Sequence, residues 1–152
     1  RTNTDRVYPT SKHGFRVSKD GKELTSAIIC ETGAGTTIHE NSVLVMSDSI
    51  IVCCPNKVYS LSIPGLQINW KKRFDPATCL AIYSFKEDFI IHGELQITRI
   101  DKKGNEKWNF GARDILVTPD EKKSIELMGD KIKLRDWAGR EYVLNENGKE
   151  IR

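Results

Sequence analysis

The 152 residues contain no apolar run approaching the roughly 18 residues of a membrane-crossing helix; the longest, Ile50 to Cys54, is a strand's length. A helical membrane span is thereby excluded. Histidine is scarce, with three in the chain, and the four cysteines form no C-x-x-C pair. The zinc signatures H-E-x-x-H and paired C-x-x-C are missing, as is the G-x-S-x-G elbow of the hydrolases. Gly33-Ala34-Gly35-Thr36-Thr37 has neither the spacing nor the lysine of a phosphate loop, and reads as a turn. Charge of one sign is lacking too: 24 Lys and Arg against 21 Asp and Glu leave +3, too slight a balance to imply a nucleic-acid partner. Arg1 to His13 is polar with no apolar h-region, so it reads as a flexible lead-in rather than a signal peptide.

What remains is an ordinary globular composition, 38% hydrophobic and 30% charged, in a chain of one-domain length. A domain of this size buries about 70% of the surface its unfolded chain exposes, which removes any need for staples. Cys30, Cys53, Cys54 and Cys79 all lie inside apolar runs. They read as buried free thiols, which points to a reducing cytoplasm. In a strand, the adjacent Cys53 and Cys54 project to opposite faces and cannot bridge each other.

Apolar residues recur at period two or in short runs rich in Val, Ile, Thr, Tyr and Phe, with turn chemistry every few residues. No window offers a helix. The early strands are expected at 14–18, 24–30, 42–46, 49–54, 57–62 and 66–70. A middle group follows at 79–83, 89–92, 95–100 and 105–108, and a last group at 115–117, 124–127, 132–136, 140–144 and 149–151. The expected fold is all-β, with about 12–15 short antiparallel strands in three to four repeats of roughly 35–40 residues.

One turn recurs. Ser18-Lys19-Asp20-Gly21, Ser62-Ile63-Pro64-Gly65, Asp101-Lys102-Lys103-Gly104, Asp136-Trp137-Ala138-Gly139 and Asn145-Glu146-Asn147-Gly148 each open on a short side-chain acceptor and close on glycine. A type I turn followed by a left-handed residue demands that pattern, because glycine accepts positive φ cheaply. Successive glycines stand 44, 39 and 35 residues apart, and the last only 9 further on. The units align beyond the turns: Asp48-Ser-Ile-Ile-Val matches Asp88-Phe-Ile-Ile-His, and Gln67-Ile-Asn-Trp70 matches Glu106-Lys-Trp108 after a one-residue slip. A third copy, through Ser124-Ile-Glu-Leu, Lys131-Ile-Lys-Leu and Arg140-Glu-Tyr-Val, ends without tryptophan.

The run Ile97-Thr-Arg-Ile-Asp-Lys-Lys-Gly-Asn-Glu-Lys-Trp108 resembles the blade motif of quinoprotein-like (PQQ-repeat) β-propellers, in which one strand ends in Asp-x-x-Gly and the next in Trp. The resemblance spans about Ser42 to Ile151, and the chain is also similar to small stand-alone bacterial proteins carrying these repeats. It implies propeller-like blades. Such rings close with roughly seven or eight blades, whereas this length allows at most about four. The arrangement is therefore expected to be either a small ring or an open stack or sandwich of sheets whose edges a partner or second copy covers. The quinone cofactor of the family needs a large central funnel, so none is expected here.

Candidate site residues are few. His39 and Glu40 follow the glycine-rich stretch, and His92 and Glu94 share a face if their strand continues through Gly93, as a metal site or acid/base pair requires. The simpler reading gives His92 and Glu94 local hydrogen bonds around a hairpin. Trp70 and Trp108 hold equivalent repeat positions and read as packing residues rather than base-stacking ones. Trp137 lies inside a turn and is the tryptophan expected to meet a partner. These features describe a non-enzymatic protein-interaction module, one form of which is an immunity-type inhibitor of a toxin. A small hydrolase or metal-dependent enzyme built on His39, Glu40, His92 and Glu94, and a partial propeller completed by homo-oligomerisation, are the alternatives.

Overall fold

The computed structural model describes residues 11–31, 40–55, 57–120 and 122–151. Among them there is no α-helix, only one turn of 3-10 helix at Glu40–Ser42 and four antiparallel sheets. A hairpin of β1 (Ser11–Lys19) and β2 (Lys22–Glu31) comes first. Blade 1 is β3 (Val43–Val45), β4 (Ser49–Cys54), β5 (Lys57–Ser62) and β6 (Ile68–Lys72). Blade 2 is β7 (Cys79–Phe85), β8 (Asp88–Gly93), β9 (Gln96–Ile100) and β10 (Glu106–Gly111). Blade 3 is β11 (Ile125–Met128), β12 (Lys131–Arg135) and β13 (Glu141–Leu144). Within each blade, sequence neighbours are spatial neighbours, the meander that short turns enforce.

Blade 2 explains why its strands read as unbroken apolar runs. Phe89, Ile91 and Ile100 pack toward Ile51, Cys53 and Val58 of blade 1, while Phe85, Ile90 and Ile97 pack toward Ile132, Leu134 and Leu144 of blade 3. Alternation puts successive residues of β8 into different cores, so both parities must be apolar. Each fully buried isoleucine contributes about 1.5–3 kcal/mol. Blade 1 is likewise covered on both sides: Val52, Cys54, Tyr59 and Leu61 form a third cluster against which Phe15 of the hairpin packs. Cys53 and Cys54 thus occupy opposite faces, as adjacent strand residues must. Cys53, Cys54 and Cys79 are buried thiols outside any disulfide. Burial pushes the Cys53 thiol well above its ordinary range and the Cys79 thiol up to about 12, so both are held protonated.

Blade 3 differs. Ile132, Leu134, Tyr142 and Leu144 face blade 2, but the opposite face carries Glu126, Lys133, Arg135 and Glu141. Arg135 and Lys133 both pair with Glu141 there, at 2.7 and 3.7 Å. A one-sided period-two pattern is that of a sheet with one face packed and the other open to water, because an apolar partner on that side would bury those charges.

The repeated turns are the joints between blades. The Trp70 indole lies on Gly104 of the next blade, where an added Cβ would come within 2.8 Å of the ring, and its Nε1 points to the Lys102 carbonyl at 3.4 Å. The arrangement recurs one blade on: Trp108 covers Gly148, and its Nε1 donates to the Glu146 carbonyl at 2.8 Å. Both glycines have positive φ, +81° and +76°, and no side chain fits beneath the rings. At the second joint Arg99 adds a bond to the same Glu146 carbonyl at 2.7 Å, stacks 5.0 Å from the Phe85 ring centre and pairs with buried Asp88 at 2.8 Å.

At the opposite end of blades 1 and 2, Asp75 pins the linker between them. Its Oδ1 accepts from the Ala77 and Thr78 N–H groups, and its Oδ2 from those of Leu95 and Gln96. Gly93 has no side chain because the Asp75 carboxylate occupies that space.

Several expectations need correction. Ile115–Val117 is not a strand; it belongs to the linker between blades 2 and 3, whose Leu116 side chain is buried among both. Residues 149–151 make only an isolated bridge, Leu144 to Glu150. The strand expected at 66–70 runs instead over Ile68–Lys72, since the Ser62–Gln67 turn encloses one residue more than the others. That longer turn moves the left-handed position from Gly65 to Leu66, whose φ is +53°. The β1–β2 turn has positive φ at both Asp20 and Gly21, the two-residue hairpin geometry rather than a type I turn. Ser11, Lys12 and His13, expected in the lead-in, are strand residues of β1.

Candidate functional site

β8 stops at Gly93, so His92 and Glu94 do not share the face of one continuous strand. The chain turns there because Gly93 abuts Asp75, and Glu94 is committed through its backbone: its N–H donates to the Thr78 carbonyl and its C=O accepts from the Leu116 N–H, at 2.8 and 2.7 Å. His92 is buried, with Nε2 2.8 Å from the Leu116 carbonyl. Both residues hold the linker to blade 2, through partners 16 to 24 residues away rather than local ones around a hairpin. Glu40 opens the 3-10 turn, and His39 lies outside the described residues. Among the described residues, no group of three or more His, Cys, Asp or Glu is placed to hold a metal ion.

Two features remain where chemistry is exposed. The first is a rim. The linker stretch Ile115–Leu116 bonds two turns at once, with the Trp137 N–H donating to the Ile115 carbonyl and the Leu116 N–H to that of Glu94. Leu95 and Trp137 flank that stretch with 40% and 48% of their surface exposed. Behind Trp137, Asp136 ties the turn. Burial opposes its ionisation, yet the Arg140 N–H, the Tyr142 hydroxyl and the Arg140 guanidinium together hold its carboxyl below the usual range.

The second feature is a cleft of about 660 Å³ between the 3-10 turn, blade 2 and β11 of blade 3. It is lined by Asn41 of the 3-10 turn, Tyr83 of β7, His92 of β8, and Lys123 through Met128 along β11. Two of the sequence-singled segments therefore converge, His92 and the residue next to Glu40, whereas Glu94 and Trp137 stand outside the lining. Sequence reasoning missed Leu95, assigned to a strand that in fact begins at Gln96, and it did not single out Lys123. It missed Tyr83 and β11 as well, because their period-two pattern shows a buried face and not an open edge.

No protein-family model and no curated protein matches the chain. Among solved structures, the crystal structure of BamB from Moraxella catarrhalis, a PQQ-like β-propeller protein, superposes with a TM-score of 0.53 at 14% sequence identity. The match covers 69% of this chain and 33% of that one, so the chain spans about a third of its neighbour's length. The stacked four-stranded sheets, tryptophan-on-glycine joints and this superposition agree on one conclusion: the chain has a propeller-like, all-β fold.

Proposed function

We propose that this chain is a non-enzymatic protein-interaction module whose partner seats on the rim formed by the β8–β9 turn, the β12–β13 turn and the linker between them. The observation that carries this reading is the exposure of Leu95 and Trp137 beside one hydrogen-bonded stretch, in a chain whose other tryptophans are taken up in joints. An aromatic and an aliphatic anchor on rigid, backbone-bonded turns is the arrangement from which interface hot spots are built. Its finer form is an immunity-type inhibitor that covers a toxin domain, working in a reducing cytoplasm where buried thiols stay free. The propeller-like neighbour supports the architecture.

The test is a pull-down with the full chain at physiological salt, in parallel with Trp137→Ala and Leu95→Ala. A stoichiometric protein retained by the parent chain and lost by both variants is the expected result. Partnerless elution under all conditions, or retention undiminished by either variant, overturns the rim assignment.

A further inference from the structure

The strands of blade 3 leave a set of backbone groups uncommitted. β11 pairs only with β12, in a register that sets Ile125 opposite Leu134, Glu126 opposite Lys133 and Leu127 opposite Ile132. The Arg135 N–H donates to the Ser124 carbonyl at 2.9 Å, so Ser124 and, two residues on, Glu126 and Met128 are the residues that exchange hydrogen bonds with β12. By the alternation of an antiparallel ladder, the N–H and C=O groups of Ile125 and Leu127 point the other way. No described residue bonds them. That side is the 660 Å³ cleft, walled by Asn41, Tyr83 and His92.

From this geometry we infer that the open edge of β11 is a docking site for an extended segment of another protein, which adds to blade 3 as a strand within the cleft. The inference rests on the protein-interaction reading and specifies how such a partner is held. Recognition is by main-chain pairing: the outward N–H and C=O groups of Ile125 and Leu127 match the alternate donors and acceptors of an extended chain. The length agrees. At a strand rise of about 3.4 Å per residue, the four residues of β11 present an edge about 14 Å long, which an extended segment of about four residues matches. A single extended chain needs no more than that edge, whereas a second folded copy would have to bring a whole sheet edge past the cleft walls. Lys123, which forms no ion pair among the described residues, stands at the Ser124 end and favours an acidic residue there.

The experiment selects binders from a displayed library of linear peptides on the full chain, then measures backbone amide hydrogen exchange with the best binder. Two variants separate backbone from side chain: Leu127→Pro removes the outward N–H, and Leu127→Ala shortens the same side chain while keeping it. Circular dichroism verifies that both fold. Selected peptides should slow exchange at Ile125 and Leu127, bind Leu127→Ala within a few fold of the parent, and bind Leu127→Pro at least about tenfold more weakly. Equal binding by the two variants overturns the edge assignment, as does a failure to select any peptide. If Leu127→Pro misfolds, protection of the two amides in the parent chain decides by itself. Protection confined to Leu95 and Trp137 would also overturn it while leaving the rim reading standing, and loss of the rim in the pull-down would leave the edge result untouched.

Discussion

At the residue scale, two tryptophans and one aspartate hold the blades in place. Trp108 donates a 2.8 Å bond to a carbonyl shared with Arg99, whereas Trp70 makes a 3.4 Å contact at the equivalent joint. Trp108→Ala should therefore destabilise more than Trp70→Ala, by about 2–4 kcal/mol in urea unfolding against less for Trp70, since both rings are only partly buried. Glycine tests the same joint from below. Gly148→Ala meets both the positive φ and the Trp108 ring, while Gly139→Ala meets only the φ of +86° with open space around it. The first should cost clearly more than the second, for which about 1 kcal/mol is expected. Asp75→Ala strips acceptors from four backbone N–H groups at once and should cost about 3 kcal/mol or more by the same assay.

At the element scale, the turns work because a carboxylate or amide at their first position gathers backbone donors. Asp101 Oδ1 accepts from the Lys103 and Asn105 N–H groups, and Asn145 Oδ1 from those of Asn147 and Lys149. The Asn105 backbone N–H, above all, holds the Asp101 carboxyl below its ordinary range. A depressed carboxylate stabilises the fold fully above its unfolded pKa, and the contribution disappears as pH falls through the folded one. The stability advantage of the parent over Asp101→Asn should therefore be constant near neutrality and shrink below about pH 4. Chemical denaturation at a series of pH values checks this, and an advantage that grows on acidification would contradict the assignment.

At the scale of the whole molecule, blade 2 is apolar on both faces and blade 3 on one. A lysine introduced at Ile97, buried between two blades, should abolish cooperative unfolding, because an unpaired charge there has neither partner nor water. The same residue at Val143, on the charged side of β13, should shift thermal stability by only about 0.5 kcal/mol. Thermal melts of the two variants distinguish a sheet face packed between blades from one open to water.

Much of this was legible in the chain itself. Period-two runs, β-branched and aromatic residues and the acceptor-to-glycine turns dictate all-β blades at a spacing near 40 residues, since these are local rules that each segment obeys alone. The equivalence of Trp70 and Trp108 was legible for the same reason. The partner of each tryptophan was not, because it stands 34 or 40 residues away, on a glycine whose role looks purely conformational. Tertiary structure also decided the fate of His92 and Glu94: Asp75, distant in sequence, fills the space at Gly93, ends the strand and turns both residues to holding a linker. Sequence patterning distinguishes buried from exposed faces, but an open edge shows only when strand neighbours are known, and so the cleft along β11 and the rim at Trp137 belong to the packing of blade 3 on blade 2.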